Sequence, residues 1–185
     1  MKLQAVLKAI DGANAADPTV EDGRPAALLY GERMSSELAR LFPEASEVLQ
    51  IAARGQHVER WKVPRSDYPE GREGYLIWRR DHGRRHGERL AGMMAHAGYA
   101  VEDQARVGVL LRKEGIKRDP EVQALEDVIC FVFLKWYFAP FAAKHAPEDV
   151  QRIVDKTARK MSAEGRARVL NEFNLPEPLA AAFRV

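Results

Sequence analysis

The sequence predicts an all-α protein, and three observations carry that prediction. Apolar residues recur at helical spacing along nearly every segment, and no run alternates in the manner of a strand. Proline, glycine and acidic residues punctuate the chain where helices should start and stop. A length of 185 residues suits one domain, and no repeat or break in composition marks a second.

Taken in order, the first helix covers about residues 3–10 and ends at Asp11-Gly12. A loop over 11–24 follows, crowded with Gly, Asp, Asn and Pro. Pro25 suits the first turn of a second helix, on which Leu28, Leu29, Met34, Leu38 and Leu41 approximate one face. Pro43 opens a third helix, PEASEVLQIAARGQHVERW, with Val48, Leu49, Ile51 and Ala52 turned inward. Pro64, Pro69, Gly71 and Gly74 mark a second loop over 62–74. A long helix then runs over about 75–96, although Gly83 and Gly87 each cost about 1 kcal/mol relative to Ala inside it. By removing side chains beside His82 and His86 they allow a ligand or another backbone to come close, or they are simply tolerated.

Another amphipathic helix covers 101–113, closed by Glu114-Gly115. Asp119-Pro120-Glu121 is a helix start, with an N-cap acid, proline at the first position and a second acid in the first turn. Its apolar run continues to about Lys144, bent near Pro140. Pro147-Glu148-Asp149 opens VQRIVDKTARKM, and short helices over 163–173 and 177–183 complete a C-terminal set, 146–185, expected to pack on the core.

Composition bounds the function. With 46% hydrophobic and 30% charged residues the chain reads as an ordinary soluble globular protein. Its 29 basic and 27 acidic residues nearly balance, which does not imply wholesale coating of nucleic acid and leaves a local basic patch for that role. The run VICFVFLKWYFAPFAA contains Lys135 and Pro140 and falls short of a membrane span of roughly 20 residues. No membrane partner is expected. The N-terminus is too short and polar for a signal peptide, so the cytoplasm is the expected compartment. Cys130, the single cysteine, reads as a buried inert thiol.

Chemistry concentrates between Arg54 and Arg89, which hold three of the five histidines and nine arginines. Helical spacing puts Arg54, His57 and Trp61 on one face, and His82, His86 and Arg89 on another. Asp127 opens a strongly apolar run, and an unpaired buried charge is expensive. It should therefore meet a cation, a metal or several donors. The 61–75 loop offers Arg65, Arg72 and Tyr75 beside Arg54 and Trp61. Guanidinium forks bind phosphate or carboxylate at two points, and aromatic planes stack bases. That suits a lid over an anionic small molecule; the plainer alternative is Arg–Glu pairs stapling the loop down.

Arg54-Gly-Gln-His57, His86 and the Asp127 of LEDVICF resemble in spacing the helical metal-dependent phosphohydrolases of the HD superfamily. Gly87 departs from the pattern, standing where the His-Asp pair would place its aspartate. The resemblance implies a divalent metal ion on His57, His86 and Asp127, with activated water attacking a nucleotide-like phosphoester. Without a metal, His57 oriented by Asp127 would act as general base. A broader resemblance covers almost the whole chain. The blocks AIDGAN–ADP, YGERM, AARGQHVERWKVPR, YPEGREGYLIWR, DPEVQALEDVICFVFL and KTARKMS are similar to the domain-of-unknown-function 4202 family of bacteria and fungi. That likeness implies a helical fold and carries no activity with it.

Two functions are therefore expected in competition. One is a phosphoester hydrolase; the other is a non-catalytic module that binds an anionic metabolite, nucleotide or RNA. A homo-oligomeric scaffold built from the apolar C-terminal helices is a third expectation, and it leaves the Arg/His cluster unexplained.

Overall fold

A computed structural model describes residues 1–184; Val185, the end of the predicted C-terminal set, lies outside them. The fold is all-α apart from one minimal hairpin, and the chain divides into two compact units, Met1–Glu114 and Gly115–Val185. The division falls at the Glu114-Gly115 helix stop, which composition alone does not distinguish from other stops.

The first unit holds α1 (Lys2–Asn14), α2 (Ala26–Leu41), α3 (Glu47–Arg54), α4 (Gly71–His96) and α5 (Val101–Arg112). Val6, Ile10, Met34, Leu38, Ile51, Leu90, Met94 and Leu110 are buried in it. Between α1 and α2, strands β1 (Val20–Glu21) and β2 (Arg24–Pro25) pair antiparallel around Asp22-Gly23, both at positive φ (51° and 73°). Two positive φ values in a two-residue turn are the geometry that Asp-Gly favours. The hairpin is too short to alternate, so periodicity could not reveal it. Asp17 braces it by accepting the N–H groups of Thr19 and Ala27, both at 2.9 Å.

The third helix is far shorter than its apolar pattern suggests. Ser46 caps it, accepting the Leu49 N–H at 3.1 Å, and it stops at Arg54 before Gly55. Residues beyond it turn repeatedly. Glu59 takes a left-handed φ of 52°, and its N–H is captured by the buried Asn14 side chain of α1 at 3.0 Å. Bonds from another helix thus outbid continuation of this one. His57 therefore lies on no helix and Trp61 only in a short 3-10 turn, and the expected shared face with Arg54 is not formed.

Helix α4 starts at Gly71, earlier than expected, and presents His82, His86 and Leu90 as one buried stripe at four-residue spacing. Its partner is α5. A Cβ built on Gly83 would come 3.0 Å from the Leu111 carbonyl oxygen, and one on Gly87 would come 3.1 Å from the Gly108 Cα. Of the two uses expected for these glycines, close approach of another backbone is the observed one.

The second unit comprises α6 (Pro120–Val132), a π turn over Phe133–Tyr137, α7 (Phe138–Ala142), α8 (Pro147–Lys160), α9 (Ala163–Glu172) and α10 (Glu177–Ala180). Asp119 caps α6 as predicted, accepting the N–H groups of Glu121 at 3.0 Å and Val122 at 3.3 Å. The expected bend near Pro140 takes the form of the π turn just upstream. Proline cannot donate to the carbonyl four residues back, and its ring presses on that carbonyl. Among the described residues no helix is long and apolar enough to cross a membrane.

Candidate functional site

The segment after α3 and the exposed end of α4 build one cluster in the first unit. Arg60, in a 3-10 turn (Arg60–Lys62), directs its Nη1 to His57 Nε2 at 2.8 Å. A guanidinium only donates, so His57 Nε2 accepts and its ring proton lies on Nδ1. The His57 ring stacks on Tyr30 of α2, with centroids 3.9 Å apart and planes 10° from parallel. On its other side the Arg60 guanidinium covers the Trp78 ring at 4.6 Å, a cation–π contact worth about 0.5–2 kcal/mol.

Trp78 and His82 are held against the preceding loop by one acceptor. The Val63 carbonyl takes the Trp78 indole N–H and His82 Nε2, both at 3.0 Å. A carbonyl cannot donate, which places a proton on His82 Nε2. His82 Nδ1 then faces His86 Nε2 at 3.2 Å. With a lone pair on His82 Nδ1, His86 Nε2 is the donor of that contact. Both histidines are buried, at 5% exposure each.

The electrostatics of this cluster are one-sided. Among the described residues Arg60 forms no ion pair, and the groups that act on it are the neutral phenols of Tyr30 and Tyr75 and the cationic Arg79. Burial holds the Arg60 guanidinium below its ordinary value. Burial first, then the Arg60 charge, pushes His57 well below its usual range. His86 is lowered to about 3, by burial and then by His82 and Arg60. All three imidazoles are thus held neutral, beside a cation that has no acid.

The other residues singled out in the sequence have different employments. Arg54 makes a two-point bridge to Asp11 of α1, Nε–Oδ1 2.6 Å and Nη2–Oδ2 2.7 Å. Arg65 staples its own loop, donating to the carbonyls of Tyr68 at 3.0 Å and Gly71 at 3.1 Å. Trp61 is half-buried and Arg72 exposed. Tyr75 is exposed at the start of α4, its ring 6.0 Å from that of Trp78 and covered by Arg79 at 5.7 Å. Asp127, in the second unit, meets several donors, one of its three expected fates. It accepts Gln123 Nε2 at 3.0 Å, the Ser162 N–H at 2.8 Å and the Ser162 hydroxyl.

Among the described residues no group of three or more His, Cys, Asp or Glu side chains converges as a metal cage. Arg60, Tyr30 and Trp78 form the centre of the cluster and escaped the sequence reading. Trp78 was within reach, since it precedes His82 by four residues on the same helix. Nothing in the sequence separates Arg60 from its eight neighbouring arginines, because what distinguishes it is partial burial without an oxygen acceptor.

No curated protein and no solved structure matches the chain. One family model does, over residues 4–182, which is nearly all of it. The chain belongs to the family described as Domain of unknown function (DUF4202).

Proposed function

We propose that the protein binds a phosphorylated, nucleotide-like small molecule at the Arg60 cluster. The observation that supports this is a half-buried guanidinium with no carboxylate. Buried cations are ordinarily paired, because desolvation is costly. Of its five N–H donors one is engaged by His57, leaving others for an anion. Trp78 and the exposed Tyr75 supply aromatic surface beside it for a base. Arg79 adds a second positive charge, and Arg72 lies on the exposed first turn of α4. The test is calorimetric titration with pyrophosphate and nucleoside mono-, di- and triphosphates. Saturable binding that falls at least tenfold in Arg60→Gln supports the reading, and no binding of any of them by the intact protein rejects it.

A second reading is phosphoester hydrolysis assisted by a divalent ion, and the facing pair of neutral imidazoles favours it. His57 would serve as general base only after Arg60 leaves its Nε2, as it would on taking up an anion. Asp127, occupied by three donors in the second unit, has no part in this reading. A panel of phosphoesters with added zinc or manganese decides it; the expected result is turnover that disappears in His86→Asn.

A further inference from the structure

We propose that the N-terminal half of α4 docks an acidic amphipathic helix of a partner protein. This goes beyond the anion reading of the Arg60 cluster, with which it shares Arg72, Tyr75 and Arg79, and does not depend on it. The starting point is a mismatch in helix length. Helix α4 has 26 residues, and α5, which packs on it, has 12. A Cβ on Gly83 would lie 3.5 Å from the Arg112 Cα, so the last residue of α5 stands level with Gly83. Residues 71–82 of α4 therefore run on for about 18 Å beyond the helix that covers the rest.

The packing face of α4 does not end where α5 ends. At about 100° per residue, the buried His82, His86, Gly87, Leu90, Met93 and Met94 span a sector of roughly 140°. Arg72, Tyr75, Leu76 and Arg79 fall inside the same sector, with Arg80 at its edge. Their spacing is i, i+3, i+4, i+7, the pattern by which one helix face receives another. On this continuation burial is lost. Leu76 is 52% exposed and Tyr75 43%, and among the described residues they are the only large exposed apolar pair adjacent in sequence. The preceding loop covers a different flank, where Trp78 donates to the Val63 carbonyl and the Tyr68 hydroxyl donates to Asp81 at 2.6 Å.

Charge selects the occupant. Arg84, one turn beyond Arg80, is engaged by Glu88 at 2.9 Å. Among the described residues no carboxylate bridges Arg72, Arg79 or Arg80, all three exposed. An apolar centre bordered by unneutralised cations complements a helix with apolar residues on one stripe and Asp or Glu beside them. Tyr and Arg are also side chains that commonly carry interface energy. A second copy of this chain laid on the same face would set arginine against arginine. A single-stranded nucleic acid would find phosphate partners, yet Leu76, the more exposed of the apolar pair, offers no ring for a base to stack on.

The experiment is a fluorescence-anisotropy titration of the intact protein, without nucleotide or phosphate. The probe is a labelled synthetic helix of about two heptads, with leucine on one stripe and glutamate on its borders. Its comparators are the same peptide with lysine for glutamate, a scrambled peptide and a single-stranded oligouridylate. Saturable binding of the acidic helix is expected, weakened at least fivefold in both Leu76→Ser and Arg79→Ser and unchanged in Val101→Ser, which removes an exposed apolar residue elsewhere. No binding at millimolar peptide, equal binding of the lysine or scrambled peptide, retention in both α4 variants, or tighter binding of the oligouridylate overturns the proposal. Should a variant fail to fold, amide NMR of the intact protein decides. The acidic peptide must shift residues 72–80; shifts confined to other segments overturn it. Because no anionic metabolite is present, failure here and failure of phosphate binding are separate results.

Discussion

Asp127 on α6 accepts the backbone N–H of Ser162 at 2.8 Å, and Ser162 in turn caps α9 by accepting the Gly165 N–H at 2.9 Å. One carboxylate therefore fixes the entry of a helix 35 residues away. Asp127→Ala strips three donors of their acceptor, and bonds to charged groups are worth about 1.5–3 kcal/mol each at most. The expected loss is about 2–4 kcal/mol in urea unfolding. Gly165 belongs to the same unit, since a Cβ there would come 2.9 Å from Asp127 Oδ2. Gly165→Ala should cost stability despite the better helix propensity of alanine.

Arg60 offers a test that separates a binding residue from a structural one. A cation paired with a buried acid destabilises the protein when removed, because the acid is stranded. Arg60 strands none. Arg60→Met keeps an apolar stem over Trp78 but loses the cation–π contact and the bond to His57, and should cost at most about 2 kcal/mol, less than the roughly 3–5 kcal/mol of a broken buried ion pair. Phosphate affinity should fall at the same time. A large loss of stability would assign Arg60 to the scaffold.

The α4–α5 contact should be intolerant of volume. Gly87→Val would improve helix propensity, yet a Cβ at that position already meets the Gly108 Cα at 3.1 Å. Overpacking of this kind costs about 1–3 kcal/mol. A melting temperature equal to or above that of the parent would show that the two helices separate freely.

Acid should weaken the metal-free protein before its carboxylates titrate. The unfolded chain protonates a histidine near 6.5, whereas folded His86 resists until about 3. Between those values the unfolded state binds a proton that the folded state refuses. Stability is therefore fully present above about pH 6.5 and declines below it, by up to about 1.4 kcal/mol per pH unit. His82 and His57 shift in the same direction and steepen the fall. Urea midpoints of chelator-treated protein should drop from pH 7 to pH 5, less so in His86→Asn. A flat profile across that range would contradict the burial of these rings.

The fold class, most helix starts and the α6 cap were legible because they depend on local chemistry: proline at a first position, an acid or serine before it, glycine after. The all-α class follows from those signals and holds. The span of α3 was not legible, since Asn14 and Gly55 end it by a contact 45 residues distant and a stop that periodicity overran. The site was legible in its histidines, which share a helix face at four-residue spacing. Its arginine was not. Arg54 and Arg65 carry the same side chain as Arg60, and only tertiary placement shows that those two have oxygen acceptors while Arg60 lacks an acid.

The π turn over Phe133–Tyr137 has a consequence for the aromatic side chains around it. One residue on a helix corresponds to about 100° of rotation, so a widened turn resets the angular phase of everything downstream. Here the Phe138 N–H reaches the Phe133 carbonyl, and the Phe133 ring meets Phe138 at 6.0 Å and Phe141 at 6.1 Å. Five- and eight-residue separations are thereby brought into register. Were these same residues wound as an unbroken α-helix, Phe138 would stand about 140° and Phe141 about 80° around the axis from Phe133, off their common side. At this chain length it is the widened turn that gathers the three rings.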